Sequence, residues 1–294
     1  MKKSLALAVG IFLSLVIGAQ GSGLRGESQQ RNFVLFFEIL DYTKEMGDAV
    51  SFFITRVLEP GDQLIIYTPA RVYGFSKATL AKPKRDLVLS LQDHLRADTA
   101  FCSSNYKILI DDMKAQARDI ENSDASNSTQ LDGLRRNLTL YRYSLANLQS
   151  LRKVNQTLLA QIADMYKTQP GKNHIVMIYQ AEFRPVPNKD TLNRLRGLPV
   201  ISFEANELFT SVDQNPPLDA GWLIDTFKEI PITLHFLYIK LKEVSLLQDI
   251  REQSVDMFNA FSRIAAATGG IVETTTNPEA GFKTLVQALS APAK

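Results

Sequence analysis

The 294-residue chain has one cysteine, three histidines and almost no net charge, and each shortage excludes a class of chemistry. Cys102 alone cannot close an intramolecular disulfide, so stability has to come from a buried core, for which 45% hydrophobic residues are ample. His94, His174 and His235 show no His-x-x-x-His spacing, and there is no Cys-x-x-Cys pair, which leaves no zinc framework. With 33 Lys and Arg against 31 Asp and Glu, the net charge of +2 offers no electrostatic footprint for nucleic acid. A Gly-x-Ser-x-Gly elbow, a phosphate loop and a Gly-x-Gly-x-x-Gly turn are also missing. No catalytic residue is therefore assigned, and Cys102, next to Ser103 and Ser104, reads as a buried thiol.

Long apolar runs are scarce too. Ser4 to Val16 follows the basic start Met1-Lys2-Lys3 and precedes Ala19-Gln20-Gly21, small residues at the spacing a signal peptidase reads. At roughly 15 residues the run falls short of the roughly 20 that a helix needs to span a bilayer. Residues 1–21 are expected to be a signal peptide, a retained anchor being the alternative, and residues 22–31 a Gly, Ser and Gln-rich linker. This predicts a secreted or periplasmic bacterial protein with no stable membrane span after cleavage. Asn127, Asn137 and Asn155 each open an Asn-x-Ser/Thr sequon, which in a bacterial protein is coincidence.

The rest of the chain alternates apolar strands with amphipathic helices. Strands are expected at Phe33 to Leu40, Gln63 to Thr68, His174 to Tyr179, Ile232 to Ile239 and Ile271 to Thr274, with Arg71 to Phe75 as an antiparallel partner. Helices are expected over Gly47 to Leu58, Val255 to Thr268 and Pro278 to Leu289. The alternation predicts an α/β fold with three layers, a mostly parallel central sheet and helices on both faces. One segment departs from it. Tyr106, Ile110, Met113, Ala117 and Ile120 form one helical stripe, and after E-N-S-D-A-S-N-S-T-Q a second runs from Leu131 to Met165. The two stripes predict an antiparallel helical hairpin over residues 105–169, either projecting as an arm or folded back over the sheet.

Three phrases, in this order, resemble a von Willebrand factor A domain. They are D-Y-T-K-E-M with the following helix and L-E-P-G-D-Q-L-I-I-Y-T-P, then H-I-V-M-I-Y-Q-A-E, then F-S-R-I-A-A-A-T-G-G-I-V-E-T. The resemblance spans residues 32–104 and 170–294, with the hairpin inserted, and looks most like the family's divergent, secreted bacterial branch. It implies a Rossmann-like sheet. It also implies a site for Mg²⁺ at the carboxyl ends of the strands, built from Asp-x-Ser-x-Ser, a Thr from a second loop and an Asp from a third, and completed by an acidic side chain of the partner. Asp41, Thr43 and Glu45 match the first loop, and Thr99 matches the second, with Ser103 or Ser104 as substitutes. Gln180 stands where the family has its third-loop Asp, with Glu182 two residues on. The resemblance therefore implies a lost or weakened Mg²⁺ site and no other cofactor. Glu38, inside an apolar run, must either end its strand or meet a Lys or Arg.

By resemblance the chain is expected to be a non-catalytic module that binds another protein at the cell envelope. The contact rim is expected to include Asp41, Tyr42, Lys44, Ser103, Ser104, Gln180 and Glu182, because open α/β sheets bind ligands beyond the carboxyl ends of their strands. Two alternatives stand beside it: a scaffold that forms homo-oligomers through residues 106–168, and a hydrolase with Asp41 or Glu38 as base.

Overall fold

The structure, a computed structural model, describes residues 30–123, 127–152, 154–210, 218–240 and 250–289. The expected signal peptide and all but the end of the linker lie outside the described residues.

The elements run in the order β1 (Arg31–Glu38), α1 (Lys44–Phe52, continued by a π turn over Phe53–Val57), β2 (Gln63–Tyr67), β3 (Val72–Phe75), α2 (Lys77–Leu80) and α3 (Lys84–Asn122). Next come α4 (Ser128–Leu151), α5 (Gln156–Tyr166), β4 (Lys172–Gln180), β5 (Phe183–Pro185), α6 (Lys189–Arg196), α7 (Ser202–Thr210) and α8 (Ala220–Phe227). The chain continues through β6 (Ile232–Ile239), β7 (Ile250–Glu252), α9 (Val255–Ala267) and β8 (Val272–Thr275) to α10 (Pro278–Leu289). Six strands form one sheet in the order β3-β2-β1-β4-β6-β8, parallel except for β3, while β5 and β7 form a separate antiparallel ribbon. This is the three-layer α/β fold that the alternation predicts. The strand order reverses direction between β1 and β4, so a crevice is expected beyond their carboxyl ends.

Both faces of the sheet are buried, which is why its central strands read as continuous apolar runs. Phe33, Leu35, Phe37, Val176 and Ile178 face α1, α10 and the first turns of α3. Val34, Phe36, Ile175, Met177, Leu234 and Phe236 face α5, α8 and α9. A third cluster lies apart from the sheet: Met113 and Ile120 of α3 and Leu134, Leu138, Tyr141 and Leu148 of α4 pack with Leu195, Ala205, Leu208 and Phe209 of α6 and α7.

The hairpin differs from expectation in three ways. Its first helix, α3, is a single helix of 39 residues that begins at Lys84 and crosses residue 104, carrying one apolar stripe from the sheet core into the third cluster. Its second stripe is not one helix. It divides between α4 and α5 at Arg152–Asn155, because Leu148 and the residues before it face α3 while Leu159, Ile162, Ala163 and Tyr166 face the sheet. The α3–α4 part of the hairpin is also neither a bare arm nor a cover over the sheet, since α6 and α7 supply its apolar partners, whereas α5 does fold back over the sheet. Asn127 and Asn155 are the N-caps of α4 and α5, their side-chain oxygens accepting from the N–H groups of Gln130 and Leu158 at 3.0 Å each. Among the described residues no helix is long and apolar enough to cross a membrane.

Candidate functional site

The residues matched to a metal site have other engagements. Asp41 is exposed and pairs with Lys107 Nζ of α3 at 2.7 Å. Tyr42 lies under the Arg96 guanidinium, 5.2 Å from the ring centre. Thr43 is the N-cap of α1, its Oγ1 accepting from the Met46 N–H at 3.3 Å, while Lys44 and Glu45 form the first turn. Gln180 Oε1 accepts from the backbone N–H groups of Leu40 and Asp41 at 2.8 and 2.9 Å, which ties the loop after β1 to the end of β4. Thr99, Ser103 and Ser104 are not on a loop at all. They belong to α3, where Asp98, Thr99 and Ser103 occupy buried positions of the helical stripe, and these polar residues are what make the sequence read as a break. An amide oxygen already shared by two N–H donors, a capping hydroxyl and a carboxylate paired with lysine do not fit a Mg²⁺ shell, and no step is derived through such an ion.

The carboxyl edge instead holds a cavity of about 800 Å³ at the reversal between β1 and β4. Phe36, Glu38 and Ile39 line it from the end of β1, Tyr67 and Thr68 from β2, and Tyr179 and Glu182 from β4 and the loop after it. The helix α3 contributes Phe101 to Tyr106 as it passes this edge. It is held there by Asp98, which accepts from the hydroxyls of Thr68 and Tyr73 at 2.7 Å each, and by Tyr106, whose hydroxyl donates to the Phe183 carbonyl at 2.8 Å. The remaining wall is the break between α4 and α5, with Leu151, Arg152, Val154 and Asn155. Of the expected rim, Ser103, Ser104 and Glu182 line this cavity; Asp41, Tyr42 and Lys44 belong to the loop and first turn of α1, and Gln180 lies beneath that loop.

One ionic network forms the cavity floor. Arg152 Nε donates to Glu182 Oε2 and Arg152 Nη2 to Asp256 Oδ1, both at 2.5 Å, and Tyr179 donates to Glu182 Oε1 at 2.7 Å. Although burial disfavours its charge, the Glu182 and Asp256 carboxylates hold the Arg152 guanidinium firmly cationic. Glu38 ends β1, as one of the two sequence readings requires. It makes no hydrogen bond or ion pair among the described residues, and burial, reinforced by the charge of Glu182, pushes its carboxyl up to about 7.

That position has a consequence for stability. Between 4.5, the ordinary carboxyl value, and about 7 the folded chain holds a proton on Glu38 that the unfolded chain releases, so stability falls as pH rises through this window. Glu38→Gln mimics the protonated form and does not titrate. Denaturant unfolding is expected to show the variant gaining on wild type by on the order of 2 kcal/mol between pH 4.5 and pH 8; a constant difference would sink the assignment. His174 and His235, in contact at 3.2 Å on neighbouring strands, act in the opposite sense. Burial lowers them to about 4 and about 3, so they remove stability as pH falls below 6.5, equally in both proteins.

Sequence reasoning missed Arg152, Tyr106 and Asp98 as site residues, whereas Phe101 falls within the expected rim stretch Thr99 to Asn105. A charged pair, Arg152-Lys153, interrupting an apolar stripe was the available signal for the first. Among solved structures, the crystal structure of the TFIIH p34 N-terminal domain is similar to this chain at 12% identity, covering 88% of this chain and 96% of that one with a TM-score of 0.30. No family model and no curated protein matches the chain. The fold stands on the strand order and register given above.

Proposed function

We propose that the protein is an exported, non-catalytic module that binds another protein along the carboxyl edge of its sheet. One observation carries this reading. Phe101, Val72 and Leu151, from three separate elements, line the cavity with 77%, 53% and 46% of their surface exposed. Large apolar side chains gathered around a concave site are what an interface core requires, whereas single exposed ones need no explanation. Export is supported by the basic start, short apolar run and small residues of the first 21 positions.

A photo-reactive phenylalanine analogue placed at Phe101 is expected to give a discrete protein adduct, and one placed at Leu89, which is exposed on α3 but away from the cavity, is not. Phe101→Asp is then expected to weaken binding of the captured partner at least about tenfold, equivalent to about 1.4 kcal/mol. Equal adducts at both positions, or an affinity that ignores Phe101→Asp, would overturn the reading.

A further inference from the structure

We propose that the cavity receives a basic side chain of the partner, a lysine or arginine whose aliphatic stem lies along the apolar wall and whose cation pairs with Glu38. The inference rests on reading this edge as a partner-binding surface. Charge decides the class of ligand. The two arginines that line the cavity are already paired, Arg152 with Glu182 and Asp256, and Arg71 with Asp98 at 3.7 Å. Glu182 is held in turn by Arg152 and Tyr179. Glu38 is left as the one lining carboxyl without a partner among the described residues.

An anionic ligand would meet Glu38 and Glu182 with no unpaired cation to receive it. A purely apolar ligand would seal Glu38 away from water with nothing to bond. A cation on an aliphatic stem satisfies both parts of the site, because Phe36, Tyr67, Val154 and Leu158 offer the stem an apolar wall and Glu38 lines the same cavity with its carboxyl. The cavity volume of about 800 Å³ admits such a side chain with its neighbouring residues.

The titratable and charged groups that line the cavity with Glu38 are Tyr67 from β2, Arg71 from the turn before β3, Cys102 and Tyr106 from α3, Arg152 from the helix break, and Tyr179 and Glu182 from the β4 side; of these, Glu182, Cys102 and Tyr179 interact with its charge. With its carboxyl pushed up to about 7, Glu38 still holds its proton in most molecules at pH 6.5, and an incoming cation would displace it. Binding then converts Glu38 from carboxylic acid to carboxylate, and the proton passes to the solvent.

Calorimetric titration of the full chain at pH 6.5 with N-acetyl-lysine methylamide, N-acetyl-arginine methylamide and the uncharged N-acetyl-norleucine methylamide tests this. Run in phosphate and in a zwitterionic buffer of high ionisation enthalpy, it also reads the released proton. The basic amides are expected to bind at least tenfold more tightly than the norleucine amide, with a heat that depends on the buffer, and Glu38→Gln is expected to abolish both the preference and the buffer dependence. Equal binding of the norleucine amide, or a preference retained in Glu38→Gln, would overturn the inference. If it falls while Phe101→Asp still weakens the captured partner, the rim reading survives alone. If the basic amides bind through Glu38 but the partner ignores Phe101→Asp, the partner-surface reading falls, and the partner's side chain as source of the cation falls with it.

Discussion

Arg152→Met is expected to lower the unfolding free energy by about 3–5 kcal/mol, read as a fall in the denaturation midpoint at unchanged slope. The side chain is 5% exposed, and its two partners, Glu182 and Asp256, are 9% and 4% exposed. Removing it leaves two carboxylates under the sheet edge with no countercharge, and Asp256 Oδ2 already lacks a hydrogen-bond partner. The cost is not confined to the pair. Arg152 joins the break between α4 and α5, the loop after β4 and the first turn of α9, so the cavity loses its floor and its helical wall together. Two controls separate this from simple loss of packing. The penalty should shrink at pH 5, where the stranded carboxylates can take up protons that the unfolded chain binds less readily. The triple variant Arg152→Met, Glu182→Gln, Asp256→Asn should recover most of the loss, because a buried network removed whole leaves no uncompensated charge. A penalty under about 1 kcal/mol, or a triple variant no better than the single one, would show that the network does not hold the break.

The fold was legible in the sequence because the sheet has only one kind of requirement. A parallel strand covered on both faces must be apolar along its length, and Phe33–Phe37, Ile175–Tyr179 and Phe236–Ile239 satisfy that without reference to anything distant. The hairpin was legible only in part, since the stripe from Leu131 to Met165 keeps helical spacing while serving two different cores, and spacing cannot report a change of partner. The site was the least legible for a related reason. D-Y-T-K-E-M carries the residue types of a metal loop, but Thr43 caps a helix, Asp41 reaches across to Lys107, and Gln180 secures the loop through backbone bonds. The cavity is assembled from positions as far apart as Glu38, Phe101, Arg152 and Glu182, and no local pattern joins them. Where the family resemblance implies a metal-mediated contact with an acidic partner, the charges in this cavity favour a basic one.

Gly270→Ala is expected to cost about 3 kcal/mol or more, and Gly269→Ala only about 1 kcal/mol, although the two residues are adjacent in T-G-G. Both belong to the end of α9. The Gly269 N–H donates to the Ala266 carbonyl and the Gly270 N–H to the Ala265 carbonyl, at 3.3 and 2.8 Å, a Schellman arrangement in which Gly269 takes a φ of +69°. A side chain at Gly269 would meet only the strain of that left-handed backbone, since nothing lies within 4 Å of an added Cβ. At Gly270 the difficulty is space. An added Cβ would stand 1.7 Å from the Leu234 carbonyl oxygen and 2.6 Å from its carbon, backbone atoms of β6 that no rotamer change can move. Relief would require shifting the start of β8 away from β6, where the Phe236 N–H donates to the Ile271 carbonyl at 2.7 Å, or lifting the end of α9 from the sheet. The second movement would draw on the same helix whose first turn holds Asp256 against Arg152, so Gly270→Ala should also loosen the cavity floor. Chemical denaturation of the two variants side by side decides it: equal losses would mean that the approach of α9 to β6 is soft and that the second glycine serves only the helix end.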